Sequence, residues 1–274
     1  LNSFMDVPML DLPQRFTFRN QSVAWGNIGD GPPVVMIHGT PFSSQVWRRI
    51  ARYIAAQKRV FFFDLLGYGQ SEMAEGQDVS LAVQNELLTA LVAHWGIEAP
   101  EIVCHDFGGT TALRGHYLNG LTYSRLTLID PVALSPWGTA YARHVRNHED
   151  AMAGLPGFAH EHLTRAYLAT ASYAGLSAEA SDIYLKPWLG EFGQAGLYRQ
   201  IAQFDQKYTA DVQPYYGPMP FPTQVLWGEQ DWWLPLSQGQ ELAGLVAGGA
   251  LTVVPNAGHL VQEDAPEAIV AALL

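Results

Sequence analysis

Short runs dense in β-branched and aromatic residues recur along the chain between turn-forming clusters: RFTFR, VAWGN, PVVMIHG, RVFFFDLLG, EIVCHD, LTLIDP, TQVLWGE and LTVVPNAGH. Each has the length and residue types of a strand, so the pattern predicts eight. The first two alternate apolar and polar positions around a short NQ break, as an antiparallel edge hairpin does when one face meets water. The later runs are apolar at nearly every position, as strands covered on both faces are.

In several gaps the apolar positions change to a helical period. Residues 44–57 repeat them at Val46, Ile50 and Ile54, residues 81–95 at Leu81, Leu88, Leu91, Val92 and Trp95, and residues 109–119 form a third such segment. Ser80 is placed to cap the second segment and Gly96 to end it, while Asp264, Pro266 and Glu267 open a last helix. Alternation of strand and helix predicts a mainly parallel sheet with helices on both faces. The alternation lapses between Ala133 and Val212, a stretch dense in Tyr, Ala, His and Leu, and resumes at Thr223. The reading is therefore a core over 1–132, an inserted helical cap over 133–212 and the rest of the core over 213–274.

Composition narrows the function classes. Of 274 residues, 48% are hydrophobic, enough for one large core with an insertion. A formal net charge of -11 with no Lys/Arg cluster leaves no basic surface for phosphates, so nucleic acid is not expected as a partner. No apolar run has the length of a bilayer span, and no membrane partner is expected. The single cysteine, Cys104, excludes an internal disulfide framework and a Cys-rich metal site, and its place in an apolar run makes it a core residue. With no signal-peptide pattern, the expectation is a cytoplasmic monomer or homodimer.

The chemistry-bearing residues follow strands, where open parallel sheets collect ligands. HGTP (His38 to Pro41) follows the third run, HDFGG (His105 to Gly109) the fifth, Asp231 the seventh and His259 the eighth. In HDFGG a strand ends, one residue turns sharply, and Gly108 and Gly109 allow the next helix to approach closely. The turn presents Asp106 at the cleft with a helix N-terminus behind it, which favours an ionised carboxylate. A carboxylate needs no base to attack. A histidine beside it serves a second step instead, deprotonating a water that hydrolyses a covalent intermediate, while an acid fixes its tautomer. Asp231 is the first choice for that acid and Asp130, in LIDP, the alternative. His38 reads mainly as an organiser of its loop.

HGTPFSSQVWRRIA, HDFGG, LWGEQDWWLP and PNAGHLVQEDAPE, in this order, resemble the α/β-hydrolase superfamily, and within it the branch with an aspartate nucleophile: epoxide hydrolases and haloalkane dehalogenases. The resemblance implies an α/β-hydrolase fold with a mostly parallel eight-stranded sheet and a helical cap, a triad of Asp106, His259 and Asp231, and an oxyanion hole from backbone N–H groups of Thr40 and Phe107. It implies no cofactor and no metal. Attack by a carboxylate on an ester would give an anhydride, whereas attack on a carbon bearing a halide or a strained oxygen gives a stable alkyl ester. The expected partners are a small apolar electrophile and water, in a pocket that includes His38, Pro41 and Trp137.

Two leaving groups are compatible with this chemistry. Halide requires N–H donors, and dehalogenases usually supply one from a Trp directly after the nucleophile; here that residue is Phe107, and Thr40 stands where many carry Asn or Glu. Trp137 and Trp188 are the remaining candidate donors. An epoxide oxygen requires phenol O–H groups from the cap, and Tyr198 in GQAGLYRQ resembles the second of two such tyrosines, with Tyr141, Tyr167 and Tyr173 as candidates for the first. Epoxide hydrolysis is the leading expectation and dehalogenation the alternative, with a non-catalytic binder of apolar ligands as a reading of a different class.

Overall fold

The computed structural model describes residues 7–274. Its sheet contains β1 (Gln14–Phe18), β2 (Gln21–Ile28), β3 (Pro33–Ile37), β4 (Arg59–Phe63), β5 (Glu101–His105), β6 (Arg125–Ile129), β7 (Thr223–Gly228) and β8 (Leu251–Val254), in the order β1-β2-β4-β3-β5-β6-β7-β8. Pairings of β1 with β2 and β2 with β4 are antiparallel, and the others are parallel. The edge hairpin turns at Arg19 and Asn20, with φ of 50° and 63°, the left-handed pair that a two-residue turn between twisted strands requires.

Alternate residues of the central strands feed two cores. In β3, Val35 and Ile37 face one cluster while Val34 and Met36 face the other, and β5 divides Ile102 and Cys104 from Val103 in the same way. The first cluster is closed by α2 (Leu81–Trp95), α3 (Phe107–Asn119) and α10 (Leu236–Val246). The second is closed by α1 (Ala51–Ile54), α11 (Val261–Asp264) and α12 (Pro266–Leu273). Between β6 and β7 lie α4 (Ala140–Asn147), α5 (Glu149–Ala153), α6 (Gly157–Ala169), α7 (Ala178–Leu185), α8 (Gly190–Ala202) and α9 (Lys207–Ala210). Among the described residues no helix is long and apolar enough to cross a membrane.

Local differences from the sequence pattern have identifiable causes. Residues 44–57 are a 3-10 turn at Ser44–Trp47 followed by the short α1. The Gln45 carbonyl accepts both the backbone N–H and the guanidinium of the buried Arg48, which displaces a continuous helical ladder. Ser80 takes the N-cap backbone position of α2, but its side chain makes no capping bond. Gly96 ends α2 in the left-handed conformation. Asp264 does not open α12, whose N-cap is Ala265. Its carboxylate instead accepts from Gly258 N–H, Tyr173 N–H, Ala174 N–H and the Ser172 hydroxyl.

Candidate active site

Asp106 stands between the end of β5 and the start of α3 with φ 51° and ψ -119°, a backbone region costly for a residue with a Cβ. Three main-chain bonds hold it there: its N–H donates to Ile129 O, and its carbonyl accepts from Gly109 and Val132. The close quarters explain two glycines. A Cβ on Gly108 would lie 2.3 Å from the Ile37 carbonyl oxygen, and one on Gly39 would lie 2.3 Å from Asp106 Oδ1. Asp106 makes no side-chain capping bond to α3, so its carboxylate serves no helix-capping purpose.

The carboxylate oxygens meet different partners. Oδ1 accepts the Thr40 backbone N–H at 2.7 Å, and Oδ2 lies 3.3 Å from His259 Nε2. Phe107, as the first residue of α3, contributes a backbone N–H that has no intrahelical acceptor. The Thr40–Pro41 peptide is cis. The Thr40 hydroxyl donates to Gln200 Oε1 at 2.8 Å, and the same oxygen accepts the Tyr68 hydroxyl at 2.6 Å. A buried glutamine of α8 thereby ties the insertion to the loop that supplies the N–H donor.

His259 is fully buried, and its Nδ1 lies 2.8 Å from Asp231 Oδ2. The other Asp231 oxygen accepts the backbone N–H groups of Trp233 and Leu234 at 2.7 and 3.0 Å. A carboxylate fixed in this way makes Nδ1 the protonated nitrogen and leaves Nε2 facing Asp106. Burial by itself lowers the basicity of His259, but the Asp231 and Asp106 carboxylates outweigh it and hold the imidazole pKa well above its ordinary value. Asp130 is also buried beside this pair; its Oδ1 accepts the Gly228 N–H at 2.9 Å.

Neighbouring histidines are structural. The Leu65 N–H donates to His38 Nε2 at 2.9 Å, so Nδ1 carries the proton that binds Gly39 O. Burial lowers the His38 pKa, and this residue organises the loop without lining the cavity. His105 Nε2 donates to His259 O at 2.9 Å, and burial, aided by the nearby His259, pushes its pKa down to about 3. His105 is a neutral support beneath the His259 imidazole.

A cavity of about 30 Å³ lies over Asp106, lined by residues that include Thr40, Phe107, Trp137, Thr139, Tyr167, Phe204 and Trp233. That volume accommodates one or two waters. Phe204 also lines a second, outer cavity of about 180 Å³ with Asp78, Arg146, Asp205 and Lys207. The roof is aromatic: Tyr167 stacks on Trp233 at 4.8 Å and 7°, Trp233 stacks on His259 at 4.9 Å and 27°, and Phe204 packs edge-on against Phe107 at 4.8 Å. Burial, reinforced by the charge of Asp106, raises the Tyr167 pKa against the opposing effect of a hydrogen bond with the Thr139 side chain, so the phenol keeps its proton.

The structure distributes the remaining candidates unevenly. Trp137 lines the cavity, but its indole N–H donates to Thr209 Oγ1 at 2.9 Å; Trp188 donates to Pro41 O at 2.7 Å. Tyr198 is buried on α8 with its hydroxyl 2.9 Å from His160 Nδ1, away from the cavity lining. Tyr141 packs on Tyr167 at 4.3 Å, and Tyr173 is half exposed. Gly39, Gln200, Tyr68, Phe204 and Trp233 were not singled out by the motifs. Gly39 stands inside HGTP, Trp233 inside LWGEQDWWLP and Gln200 inside GQAGLYRQ, whereas no motif covers Tyr68 or Phe204.

Comparison with known proteins agrees with this architecture. The family model described as alpha/beta hydrolase fold matches residues 32–266. A crystal structure of an alpha/beta hydrolase fold protein from Burkholderia ambifaria superimposes with TM-score 0.97 at 55% identity, covering 98% of this chain and 99% of that one. A soluble epoxide hydrolase of Corynebacterium sp. (strain C12) is 27% identical over 88% of each chain. Haloalkane dehalogenase 2 of Mycobacterium tuberculosis is 23% identical over 98% of this chain and 99% of its own length. The match over most of its length, together with the sheet order, makes this chain a member of the alpha/beta hydrolase fold family and an α/β-hydrolase enzyme.

Proposed function

We propose that the protein hydrolyses a small apolar epoxide through an alkyl ester on Asp106. The observation that supports this reading above others is the cavity itself. A carboxylate with one oxygen held by a backbone N–H and the other beside His259 shares it with the protonated phenol of Tyr167. The indole N–H groups of Trp137, Trp188 and Trp233, which a departing halide would need, already donate to protein oxygens. Tyr167 therefore replaces Tyr198 as the acid in this reading.

The proposed steps use these atoms in turn. Asp106 Oδ2 forms a bond to an epoxide carbon as the C–O bond of the ring breaks, and Tyr167 gives its phenolic proton to the departing oxygen. Esterification removes the charge of Asp106, one of the two influences that keep His259 protonated. The imidazole then loses its proton, which restores the tyrosine, and becomes competent as a base. It deprotonates a water that adds to the Asp106 carbonyl carbon, and the Thr40 N–H meets the oxyanion on Oδ1. Collapse breaks the bond between the acyl carbon and the ester oxygen; the hydroxyl that water added to that carbon passes its proton to the departing alkoxide, which leaves as the diol. Asp106 is again a carboxylate beside the His259 imidazolium, the state in which the cycle began.

Intact-mass analysis of His259→Gln after exposure to separate panels of small epoxides, haloalkanes and esters tests the proposal. The expected result is a stable hydroxyalkyl adduct that maps to Asp106. A bare alkyl adduct from haloalkanes only would replace the epoxide by a halide. Absence of any adduct, with no turnover by the unmodified protein, would leave a ligand-binding member of the fold.

A further inference from the structure

Behind His259 lie two buried carboxyl groups where the triad needs one. Donor and acceptor atoms of Asp130, Asp231 and His259 lie within 4.8 Å of one another. Asp130 is fully buried at the end of β6 with φ 39°, so a strained backbone delivers it to this place. Its Oδ1 accepts the Gly228 N–H, but Oδ2 is buried without a partner. Two carboxylates this close, cut off from water, do not both stay ionised; one retains a proton and donates a hydrogen bond through it to the other.

The surroundings decide which one. Asp231 accepts from Trp233 N–H, Leu234 N–H and the His259 ring, three donors that favour an anion. Asp130 accepts from one. Burial, reinforced by the charge of Asp231, also raises the Asp130 pKa well above the usual carboxylate range. We infer that Asp130 is a neutral carboxylic acid whose Oδ2–H donates to Asp231, making it a positioning residue for the Asp231–His259 pair. The other titratable groups beside this strand end are His105, paired with Ile129 at the end of β5, and Asp106, whose N–H donates to Ile129 O. Of these, His105 is neutral. The triad acid is thus fixed from behind by a donor that disappears if Asp130 ionises. The kinetic consequence rests on the ester-hydrolysis reading above, while the protonation state does not.

The test separates the two. Difference infrared spectra of ligand-free protein near neutral pH, wild type against Asp130→Asn, should show a protonated-carboxyl C=O band that shifts in heavy water and is missing from the variant. Asp130→Ala should lose the same band, which covers the case of one variant failing to fold. In single-turnover hydrolysis of the Asp106 ester, Asp130→Asn should stay within about twofold of wild type, because the amide can donate to Asp231. Asp130→Ala should slow the step on the order of 10- to 100-fold. The acidic limb of the pH–rate profile, set by His259, should be unmoved in Asp130→Asn because no charge has been removed. Absence of the band, or an acidic limb displaced in Asp130→Asn with activity as low as in Asp130→Ala, would overturn the inference. If no ester forms in the wild type, the infrared result still decides the protonation of Asp130.

Discussion

The floor and the roof of the cavity are built on different principles. Asp106, Thr40, Asp231 and His259 emerge from strand ends, and their polar atoms are fixed largely by backbone N–H groups. Tyr167, Phe204 and Trp137 come from the helical insertion and are fixed mainly by ring packing. Hydrogen bonds to the N–H groups of loops anchored on strand ends tolerate little displacement, whereas stacked rings can slide or exchange for rings of other size at modest cost. In the proposed reading, the floor determines that a carboxylate attacks and the roof determines what it attacks.

Substitutions can test that division. Asp106→Ala on the floor should remove adduct formation and lower turnover by about 10⁴-fold or more for every substrate, measured by intact mass and steady-state kinetics. Tyr167→Phe in the roof should slow epoxide opening by roughly 10²- to 10⁴-fold but leave alkylation by haloalkanes unchanged. An equal loss with both electrophiles would show that the division is wrong. Phe204→Ala should join the two cavities it separates and raise the rate of Asp106 labelling several-fold for bulkier electrophiles, with little change for the smallest. Equal rates across a size series would remove Phe204 as a limit on substrate size.

The smallest expected effect is on stability. The folded-state pKa of His259 is raised by its carboxylate neighbours. The stability this contributes is complete below the unfolded value of about pH 6.5 and is lost as pH rises through the folded one. The melting temperature of wild type relative to His259→Gln should therefore be higher in mildly acidic than in alkaline buffer. A constant difference would mean that folding leaves the His259 pKa unshifted, and a difference that shrinks in acid would mean that folding lowers it.

The same contrast explains what could be read from the chain. Strand runs and their following motifs placed Asp106, Asp231 and His259 in the site because a sheet converts sequence order into spatial order. The roof offered no such rule. Tyr198 and Tyr167 both lie on helices of the insertion, yet one hydroxyl turns to His160 and only the other residue lines the cavity. Which face a short helix presents depends on partners far along the chain, and periodicity does not record them. Occupied indole N–H groups are hidden for the same reason: the loop residue Trp137 finds its acceptor in Thr209 of α9, 72 positions along the chain. At Asp264 the local pattern favours a helix start, but a tertiary demand from Gly258 and residues 172–174 takes the carboxylate instead.

That last arrangement bears on how such proteins diversify. One carboxylate joins the loop after α6 to the segment that carries His259, and the Leu260 N–H bonds to Ala171 O across the same seam. The insertion is therefore a poor candidate for wholesale exchange between relatives. A graft that replaces residues 171–174 without the matching Gly258–Asp264 segment would alter substrate choice and, at the same stroke, unseat the histidine.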